Sequence, residues 1–256
     1  MRYFLVILCG IIVASNACEK ASDPSRITSA GGSVTEIIYL LKAENNLIAV
    51  DVTSNYPLEA KKLPSIGYVR QLSAEGLLSL DPTIIIGEDD MGPPSVLDQI
   101  KRTQVEITII PEEHNVEGIL NKIECISSVI GIDSEAIINS TVIPKITKLN
   151  QLTQDSKKQK IIYILGMQSG SPLVAGNNTS GDGLIKISGG VNPFSTFEGW
   201  KPVGTESIIE ASPDLIIISE RGLKGFGTME DLRMHPALYL TPASQNNKII
   251  SIDGMA

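Results

Sequence analysis

Apolar residues along the chain follow two patterns, short continuous runs and a recurrence at every third or fourth position. The run at residues 83–87 is continuous, which is typical of a strand buried on both faces of a parallel sheet. Between residues 116 and 152 the apolar positions recur with helical spacing. Strands that alternate with helices indicate an α/β fold with parallel sheets.

The first part of the chain predicts a lobe of short strands and helices. Ser33 and Glu36 have the spacing of a capping box, which predicts a helix that begins near Ser33. Ser73 is predicted to open another helix. The predicted strands cover residues 26–30, 47–51, 66–68, 83–87 and 107–110, and a further helix covers residues 95–102.

The middle of the chain is predicted to be helical, with interruptions at Gly131 and Asp133 and an irregularity at Pro144. Strands resume after it at residues 161–165, 214–219 and 248–252. The predicted fold class is therefore α/β, with two Rossmann-like lobes joined by a long helical spine and a ligand cleft between them. The predicted divisions are a tether at 18–25, an N-terminal lobe at 26–131, a connecting helix at 132–156 and a C-terminal lobe at 157–256.

One arrangement of residues occurs in both predicted lobes. Each has a glycine and an aromatic residue, then a glutamate at a helix start, then a proline before a buried strand, and each glutamate precedes its proline by seven residues. The residues are Gly67-Tyr68, Glu75 and Pro82 in the first lobe, and Gly199-Trp200, Glu206 and Pro213 in the second. Two similar lobes that face each other predict a cleft, where ligands commonly bind.

The amino terminus has the features of a secretory signal, predicted at residues 1–17. Its apolar stretch, residues 3–14, is too short to span a bilayer. Cys18 follows the predicted cleavage point, so we expect it to be lipidated, although Ser15 occupies the place where a lipid-attachment motif has an aliphatic residue. Ordinary cleavage after Ala17, which leaves a free thiol, is the alternative. Cys125 lies in an apolar helical pattern and is interpreted as a buried, unreactive thiol.

Charge and composition exclude several classes of function. The chain has 256 residues and a formal net charge of -8, which argues against nucleic acid as a partner. The two histidines, His114 and His235, lie on no ligating motif, and two scattered histidines are poor material for a zinc or manganese site. His114 is interpreted as a helix cap. No Ser-His-Asp order, Cys-His pairing or zinc motif is present, so the chain is not interpreted as an enzyme.

Tyr68 and Arg70 are the residues most indicative of chemistry. Residues two apart on an extended backbone point to the same side, so the phenol and the guanidinium share one surface. A guanidinium stabilises a nearby phenolate. A phenolate is a ligand for ferric iron, and tyrosine is an axial ligand of haem. A loop tyrosine beside a solvated arginine is the alternative.

The residues around this pair resemble a known family. The central motif is Gly67-Tyr68-Val69-Arg70-Gln71-Leu72-Ser73-Ala74-Glu75-Gly76. Further matching residues are Thr35-Glu36-Ile37-Ile38, Asp51, Tyr56-Pro57, Gly92-Pro93-Pro94, Gly176, Thr179, Gly199-Trp200-Lys201-Pro202, Ser212-Pro213-Asp214 and Thr241-Pro242-Ala243. Together they resemble the substrate-binding proteins of bacterial haem ABC importers, over nearly the whole mature chain and in order.

The resemblance implies a role for each of these residues. Tyr68 is expected to ligate the iron of ferric haem, the transported ligand, and Arg70 to hydrogen-bond the Tyr68 oxygen. Glu75 and Glu206 are expected to dock into arginine pockets on the two subunits of an ABC permease with its ATPase. The expected cleft wall is formed by Met167, Gly176, Thr179, Trp200 and Lys201. Met91 and Met167 could also approach the iron, although methionine more often fills gaps in a hydrophobic core.

The resemblance also implies a cellular location and leaves alternative functions open. The protein is expected in the periplasm or cell envelope, touching the membrane only through a lipid on Cys18, with an outer-membrane haem receptor upstream. The same fold could instead bind a corrinoid or a ferric siderophore, and an exported α/β enzyme is the rival of another class. Family members continue beyond the position of Ala256 with a further helix. We therefore expect this chain to be a fragment, or to close its second lobe differently.

Overall fold

The computed structural model describes residues 18–154 and 157–253, so the predicted signal peptide lies outside the described residues. Two sheets are present in this part of the chain, and the predicted α/β class is confirmed. The first sheet contains β1 (Ile27–Ala30), β2 (Leu47–Val50), β3 (Ile84–Gly87) and β4 (Glu106–Ile109). The second contains β5 (Ile161–Gln168), β6 (Ser171–Ala175), β7 (Trp200–Pro202), β8 (Leu215–Ser219) and β9 (Ile249–Ile252).

Eleven α-helices connect these strands in the described residues. In the first half they are α1 (Gly32–Leu40), α2 (Ala74–Leu78), α3 (Pro94–Ile100), α4 (Val116–Ile130), α5 (Glu135–Ile137) and α6 (Ile143–Gln154). In the second half they are α7 (Ser180–Ile187), α8 (Thr205–Ala211), α9 (Glu220–Phe226), α10 (Met229–Arg233) and α11 (Pro242–Gln245). Below, the first lobe means β1 to α4 and the second lobe means β5 to β9.

The first sheet is entirely parallel, in the order β2-β1-β3-β4. Its central strand β3 is buried along its whole length, as the continuous apolar run predicts. Ile84 and Ile86 pack with α1 and α4 on one face, and Ile85 packs with α2 and α3 on the other. Side chains that alternate between two covered faces explain why this strand has no polar position.

The second sheet is mixed, in the order β7-β6-β5-β8-β9. The strands β5, β8 and β9 are parallel, whereas β6 and β7 are antiparallel additions that were not predicted from the sequence. The hairpin between β5 and β6 turns at Ser169 and Gly170, whose φ angles are 50° and 79°. Two consecutive positive φ angles are typical of a tight hairpin turn. The Ser-Gly pair was the signal that could have predicted it.

A helical segment connects the two sheets. Asn115 caps α4 by accepting a hydrogen bond from the Gly118 amide, and Gly131 ends the helix with a φ of 80°. After α5, residues 138–142 form a π-helical turn that continues into α6, which contains Pro144. The predicted irregularity is therefore present, since proline cannot donate the backbone hydrogen bond of a regular helix.

Two local predictions are wrong. The helix α1 begins after Gly31, whose φ is 139°, and the Ser33 hydroxyl donates to Glu88 rather than capping the helix. The predicted strand at 66–68 does not form, because this segment makes only an isolated bridge to β2 through Ser65.

The amino-terminal segment is packed onto the first lobe rather than extended as a tether. Ala21 is 5% exposed, and its amide donates to the carbonyl of Val129 in α4. Cys18 forms a disulfide with Cys125 in the same helix. The interpretation of Cys125 as a free thiol is therefore wrong. The bond also occupies the Cys18 sulfur that the predicted lipidation would use.

No α-helix among residues 18–154 and 157–253 is both long and apolar enough to cross a membrane.

Candidate ligand-binding cleft

A cavity of about 970 Å³ lies between the two lobes. Its walls are the loops that follow β1, β2, β3 and β4 in the first lobe and those around β5, β7 and β8 in the second. Parallel strands therefore direct their carboxyl ends at it, which is where ligands bind in open α/β sheets. The volume lies within the usual range of about 300–1,000 Å³ for small-molecule and cofactor sites.

Tyr68 lies on the first-lobe wall of this cleft and is half-buried. Gly67 precedes it with a φ of 86°, and the Gly67 carbonyl accepts a hydrogen bond from the amide of Val52. Val69, the next residue, is 3% exposed and packs into the first-lobe core. A glycine in a conformation that other residues avoid and a buried neighbour together fix the backbone on both sides of Tyr68.

Arg70 also lines the cleft, but its main partner is Asp90 rather than Tyr68. The Arg70 Nε and Nη2 atoms lie 2.7 and 2.6 Å from Asp90 Oδ2. The hydrogen bond to Asp90 raises the pKa of the Arg70 guanidinium, and the charge of Tyr68 adds to the effect. The predicted hydrogen bond between Arg70 and Tyr68 is thus replaced by an ion pair with Asp90. Sequence reasoning missed Asp90, whose signal was the run of three acidic residues, Glu88-Asp89-Asp90, directly after β3.

The second-lobe wall includes three of the five predicted residues. Trp200 follows Gly199, whose φ is 74°, and its ring packs edge-on against Tyr163 with a centroid distance of 5.6 Å. Met167 and Thr179 also line the cavity. Thr179 is buried, and its hydroxyl caps α7 by accepting from the Asp182 amide.

Gly176 and Lys201 do not line the cavity, so their predicted places in its wall are wrong. Gly176 is packed against Phe197, where a Cβ atom would lie 2.3 Å from the ring. Lys201 Nζ lies 5.2 Å from the centre of the same Phe197 ring. Lys201 follows Trp200 in strand β7, and alternation along the strand directs its side chain away from the face that Trp200 covers.

An ion cluster that was not predicted from the sequence forms part of the cleft floor. Lys122 is 7% exposed, and its Nζ lies 3.2 Å from Glu112 Oε2 and 3.5 Å from Glu88 Oε1. Burial raises the pKa of Glu88, while Lys122 and the Ser33 hydroxyl act in the opposite direction. Because Glu88 and Glu112 both reach the cavity, the first lobe presents an acidic floor.

The charges around the cleft differ between the lobes. The first lobe contributes one cation, Arg70, and the carboxylates of Glu36, Glu88, Asp89, Asp90 and Glu112. The second lobe contributes two exposed cations, Arg221 and Lys224, and two exposed carboxylates, Glu220 and Asp253. The first-lobe wall is therefore acidic, whereas cations and carboxylates balance at the second-lobe wall.

The two histidines occupy different settings. His114 lines the cleft, with Nδ1 3.9 Å from Glu112 Oε1, and it does not cap α4 as predicted because Asn115 does. His235 packs edge-on against Phe226 in the second lobe, and burial lowers its pKa. Among the residues that the structure describes, no group of three or more His, Cys, Asp or Glu side chains is placed to hold a metal ion.

Met91 is 4% exposed in the first-lobe core, where its sulfur lies beneath Gly87. Of the two methionines considered, only Met167 reaches the cleft.

Glu75 and Glu206 lie at matching positions in the two lobes. Each is the second residue of its helix, α2 or α8, and both are exposed. Ser73 caps α2 by accepting from the Gly76 amide, whereas α8 has no side-chain cap. An acidic residue in a first helical turn is favoured by the helix dipole, so this placement alone does not require a partner.

Comparison with known proteins gives one family match and similar individual proteins. The profile of the periplasmic binding protein family matches residues 27–256. The solved structure of the periplasmic haem-binding protein HutB of Vibrio cholerae is 36% identical, covers 91% of both chains and has a TM-score of 0.81.

Two curated proteins are more distant. A vitamin B12-binding protein of Vibrio parahaemolyticus is 26% identical over 93% of this chain and 85% of its own. The uncharacterised ABC-transporter substrate-binding lipoprotein YvrC of Bacillus subtilis is 21% identical over 77% of this chain, which spans 64% of YvrC.

Proposed function

The chain belongs to the periplasmic binding protein family, and we propose that it binds ferric haem in the cleft for delivery to an ABC importer. The observation that carries this proposal is the position of Tyr68. Its phenol oxygen belongs to a fixed segment of the cleft wall, in a chain 36% identical to a haem-binding protein. A tyrosine oxygen is an established axial ligand of haem iron.

The cleft offers suitable surroundings for the remainder of a haem molecule. Leu165, Met167 and Trp200 give the second-lobe wall apolar and aromatic surface, which suits a flat porphyrin ring. Arg221 and Lys224 stand at the same wall and suit the two carboxylates that a haem carries. The charge of Tyr68 acts on the Arg70 guanidinium, so Arg70 is close enough to supply positive charge beside the oxygen proposed to bind iron.

Delivery is proposed to use Glu75 and Glu206. A carrier with two lobes meets a permease of two subunits, and one exposed glutamate per lobe suits one arginine pocket per subunit. The ATPase of the importer would then drive uptake, and an outer-membrane haem receptor would supply haem upstream. The role is capture and handover, with no bond of the ligand broken by this chain.

The second candidate ligand is a corrinoid, because the chain is also similar to vitamin B12-binding proteins. The lower identity and the presence of Tyr68 beside Arg70 favour haem. A ferric siderophore is the third possibility that the sequence leaves. Absorption spectroscopy separates haem from both rivals, because only the porphyrin ring of haem gives a Soret band.

The experiment is a titration of the purified protein with haemin, followed in the visible spectrum. We expect saturable binding with a phenolate-to-iron charge-transfer band. In Tyr68→Phe the band should disappear and the affinity should fall about 10- to 100-fold, equivalent to about 1.4–2.7 kcal/mol. Tyr56→Phe is the matched control, since Tyr56 lies in the same lobe but is 60% exposed and outside the cleft wall.

Three outcomes would contradict parts of the proposal. Absence of saturable haemin binding, with binding of cyanocobalamin instead, would replace haem by a corrinoid. A wild-type charge-transfer band in Tyr68→Phe would remove Tyr68 as the ligand. Equal losses in Tyr68→Phe and Tyr56→Phe would mean that the tyrosines act through the fold.

A further inference from the structure

The segment that precedes the first strand makes a continuous set of contacts with the first lobe. The Ser128 hydroxyl donates to the Cys18 carbonyl at 2.8 Å, and the Ala21 amide donates to the Val129 carbonyl at 2.9 Å. The Ser22 hydroxyl and amide both donate to the Glu106 carboxylate in β4. The stem of Lys20 packs over Gly131, where a Cβ atom would lie 2.7 Å from the Lys20 Cε.

Cys125 lies on the buried face of α4, and its side chain is 6% exposed. It belongs to the same core cluster as Ile126 and Val129, and Cys18 packs against that cluster. The two Cα atoms are 4.9 Å apart, within the usual range of about 4.4–6.8 Å for a disulfide. The contacts made by residues 18–22 therefore hold the Cys18 sulfur beside its partner.

We propose that Cys18 of the exported protein is joined to Cys125 and carries no lipid on its sulfur. A lipid anchor at such a cysteine is a thioether on Sγ, and the disulfide uses the same valence, so the two modifications exclude each other. Cys18 is partly buried against the core cluster, so a diacylglyceryl group on its sulfur would also displace the segment from α4. This inference rests on the disulfide and on the predicted secretory signal, and it does not depend on haem binding.

Formation of the disulfide between Cys18 and Cys125 requires an external oxidant. Two thiols lose two electrons and two protons as the S–S bond forms. The acceptor is a protein disulfide oxidant of the exported compartment, whose own disulfide becomes a dithiol through thiol–disulfide exchange. The sequence before Cys18 also favours a cysteine without a lipid. Ser15 occupies the position where a lipid-attachment motif has an aliphatic residue, and Ser15-Asn16-Ala17 is typical of an ordinary signal cleavage site.

The first experiment uses the unaltered protein. The full chain is exported from a Gram-negative host through its own signal and purified in detergent. Accessible thiols are then alkylated under denaturing conditions, before and after reduction, and intact and peptide masses are measured. We expect no alkylation before reduction, two alkylated cysteines after it, a peptide that links Cys18 to Cys125, and no acyl mass. A diacylglyceryl mass on Cys18, or alkylation of Cys125 before reduction, would overturn the proposal.

A variant tests what blocks Cys18. In Cys125→Ser the partner sulfur is absent, so Cys18 should become alkylated without reduction. If Cys18 stays blocked and the variant partitions into a detergent phase, a lipid occupies it and the inference fails. Ser15→Leu restores the aliphatic residue and is the reference for a lipidated product in the same detergent partition. The wild-type protein is expected in the aqueous phase, and its appearance in the detergent phase would refute the proposal without any variant.

Discussion

The two lobes place the same local arrangement on different sheets. Gly67 and Gly199, with φ angles of 86° and 74°, each precede an aromatic residue that lines the cleft. In the first lobe the aromatic residue leads into a short 3-10 turn beside a parallel sheet, whereas in the second it begins strand β7 of a mixed sheet. A shared local pattern therefore does not require a shared sheet.

The likeness extends to the end of each unit. Asp81 and Ser212, with φ angles of 52° and 50°, adopt the left-handed conformation directly before Pro82 and Pro213. Each proline leads into a buried strand, β3 or β8. Non-glycine residues seldom adopt this conformation, so its presence at both matching positions shows that the echo in sequence is also one in backbone geometry.

The difference between the lobes lies in what surrounds the aromatic residue. Arg70 and Asp90 accompany Tyr68, whereas Trp200 packs against the ring of Tyr163. The first lobe thus provides a polar oxygen with charged neighbours, and the second provides an aromatic surface. We infer that the first lobe carries the chemistry of iron ligation and the second carries the contact with the ring.

The largest expected effect concerns the disulfide between Cys18 and Cys125. It joins the amino-terminal segment to α4 of the first lobe, and the described residues of the second lobe contain no disulfide. Replacing Cys18 and Cys125 by serine should lower the free energy of unfolding by about 2–5 kcal/mol, since the bond closes a long loop. Hydrogen exchange should show the loss in α4 and β4, with β5 and β8 little changed. Equal loss of protection in both lobes would mean that they unfold as one unit.

The two glutamates proposed to dock onto the permease, one in each lobe, should contribute equally to haem uptake. Glu75→Ala and Glu206→Ala should each reduce haem uptake in vesicles that contain the permease, because each loses about 2 kcal/mol or more of a charge pair, or about 30-fold in affinity. The double variant should lose more than either single variant, and haemin binding in solution should stay unchanged. Full uptake by the double variant would exclude the docking role, as would a loss of haemin affinity.

The inferred division of roles predicts unequal effects for the two aromatic residues. Trp200→Leu should weaken haemin binding by about 0.5–1.5 kcal/mol, the value of an aromatic contact. The charge-transfer band should persist at saturation, in contrast with Tyr68→Phe. A Trp200→Leu protein without that band would show that the second lobe contributes to iron ligation.

Asp90 and Arg70 should have opposite effects on the affinity for haemin. Asp90→Asn frees the Arg70 guanidinium from its ion pair, so its positive charge beside Tyr68 should strengthen haemin binding; Arg70→Ala removes that charge and should weaken binding. Because the Arg70 side chain is 62% exposed, each change should amount to less than about 1 kcal/mol. Haemin titrations of both variants measure the difference, and affinities equal to that of wild type would remove the pair from the site.

The smallest effect concerns Glu88 in the acidic floor of the first lobe. Burial raises its pKa, so the folded state binds a proton more tightly than the unfolded state. Its contribution to stability is therefore present below the usual pKa of glutamate and is lost as the pH rises through the raised value. Glu88→Gln removes this dependence. Its stability relative to wild type should rise from pH 4 to pH 7, by only a small amount because Lys122 and the Ser33 hydroxyl oppose the effect of burial. Parallel curves from urea unfolding would contradict this.

Elements with strong local patterns were predictable. The strands β3 and β8 follow apolar runs, and Ser73 correctly marks the start of α2. The strands β6 and β7 were not predicted, because each contains a proline, which is uncommon inside strands, and β7 is an edge strand of only three residues. The strand predicted at 66–68 is wrong because apolar residues there suggested a strand that does not form. These residues pack against the first-lobe core, and the segment makes only one isolated backbone bridge to β2.

By itself the sequence determined the α/β class, the two-lobed order of elements and the place of Tyr68 after Gly67. These properties depend on apolar periodicity and on backbone conformations that act within a few residues. Only the tertiary structure decided which distant groups meet. Asp90 forms an ion pair with Arg70, 20 residues away in sequence, and Cys125 forms a disulfide with Cys18, 107 residues away. Such pairs follow from how the packed chain closes on itself, and local periodicity carries no information about that closure.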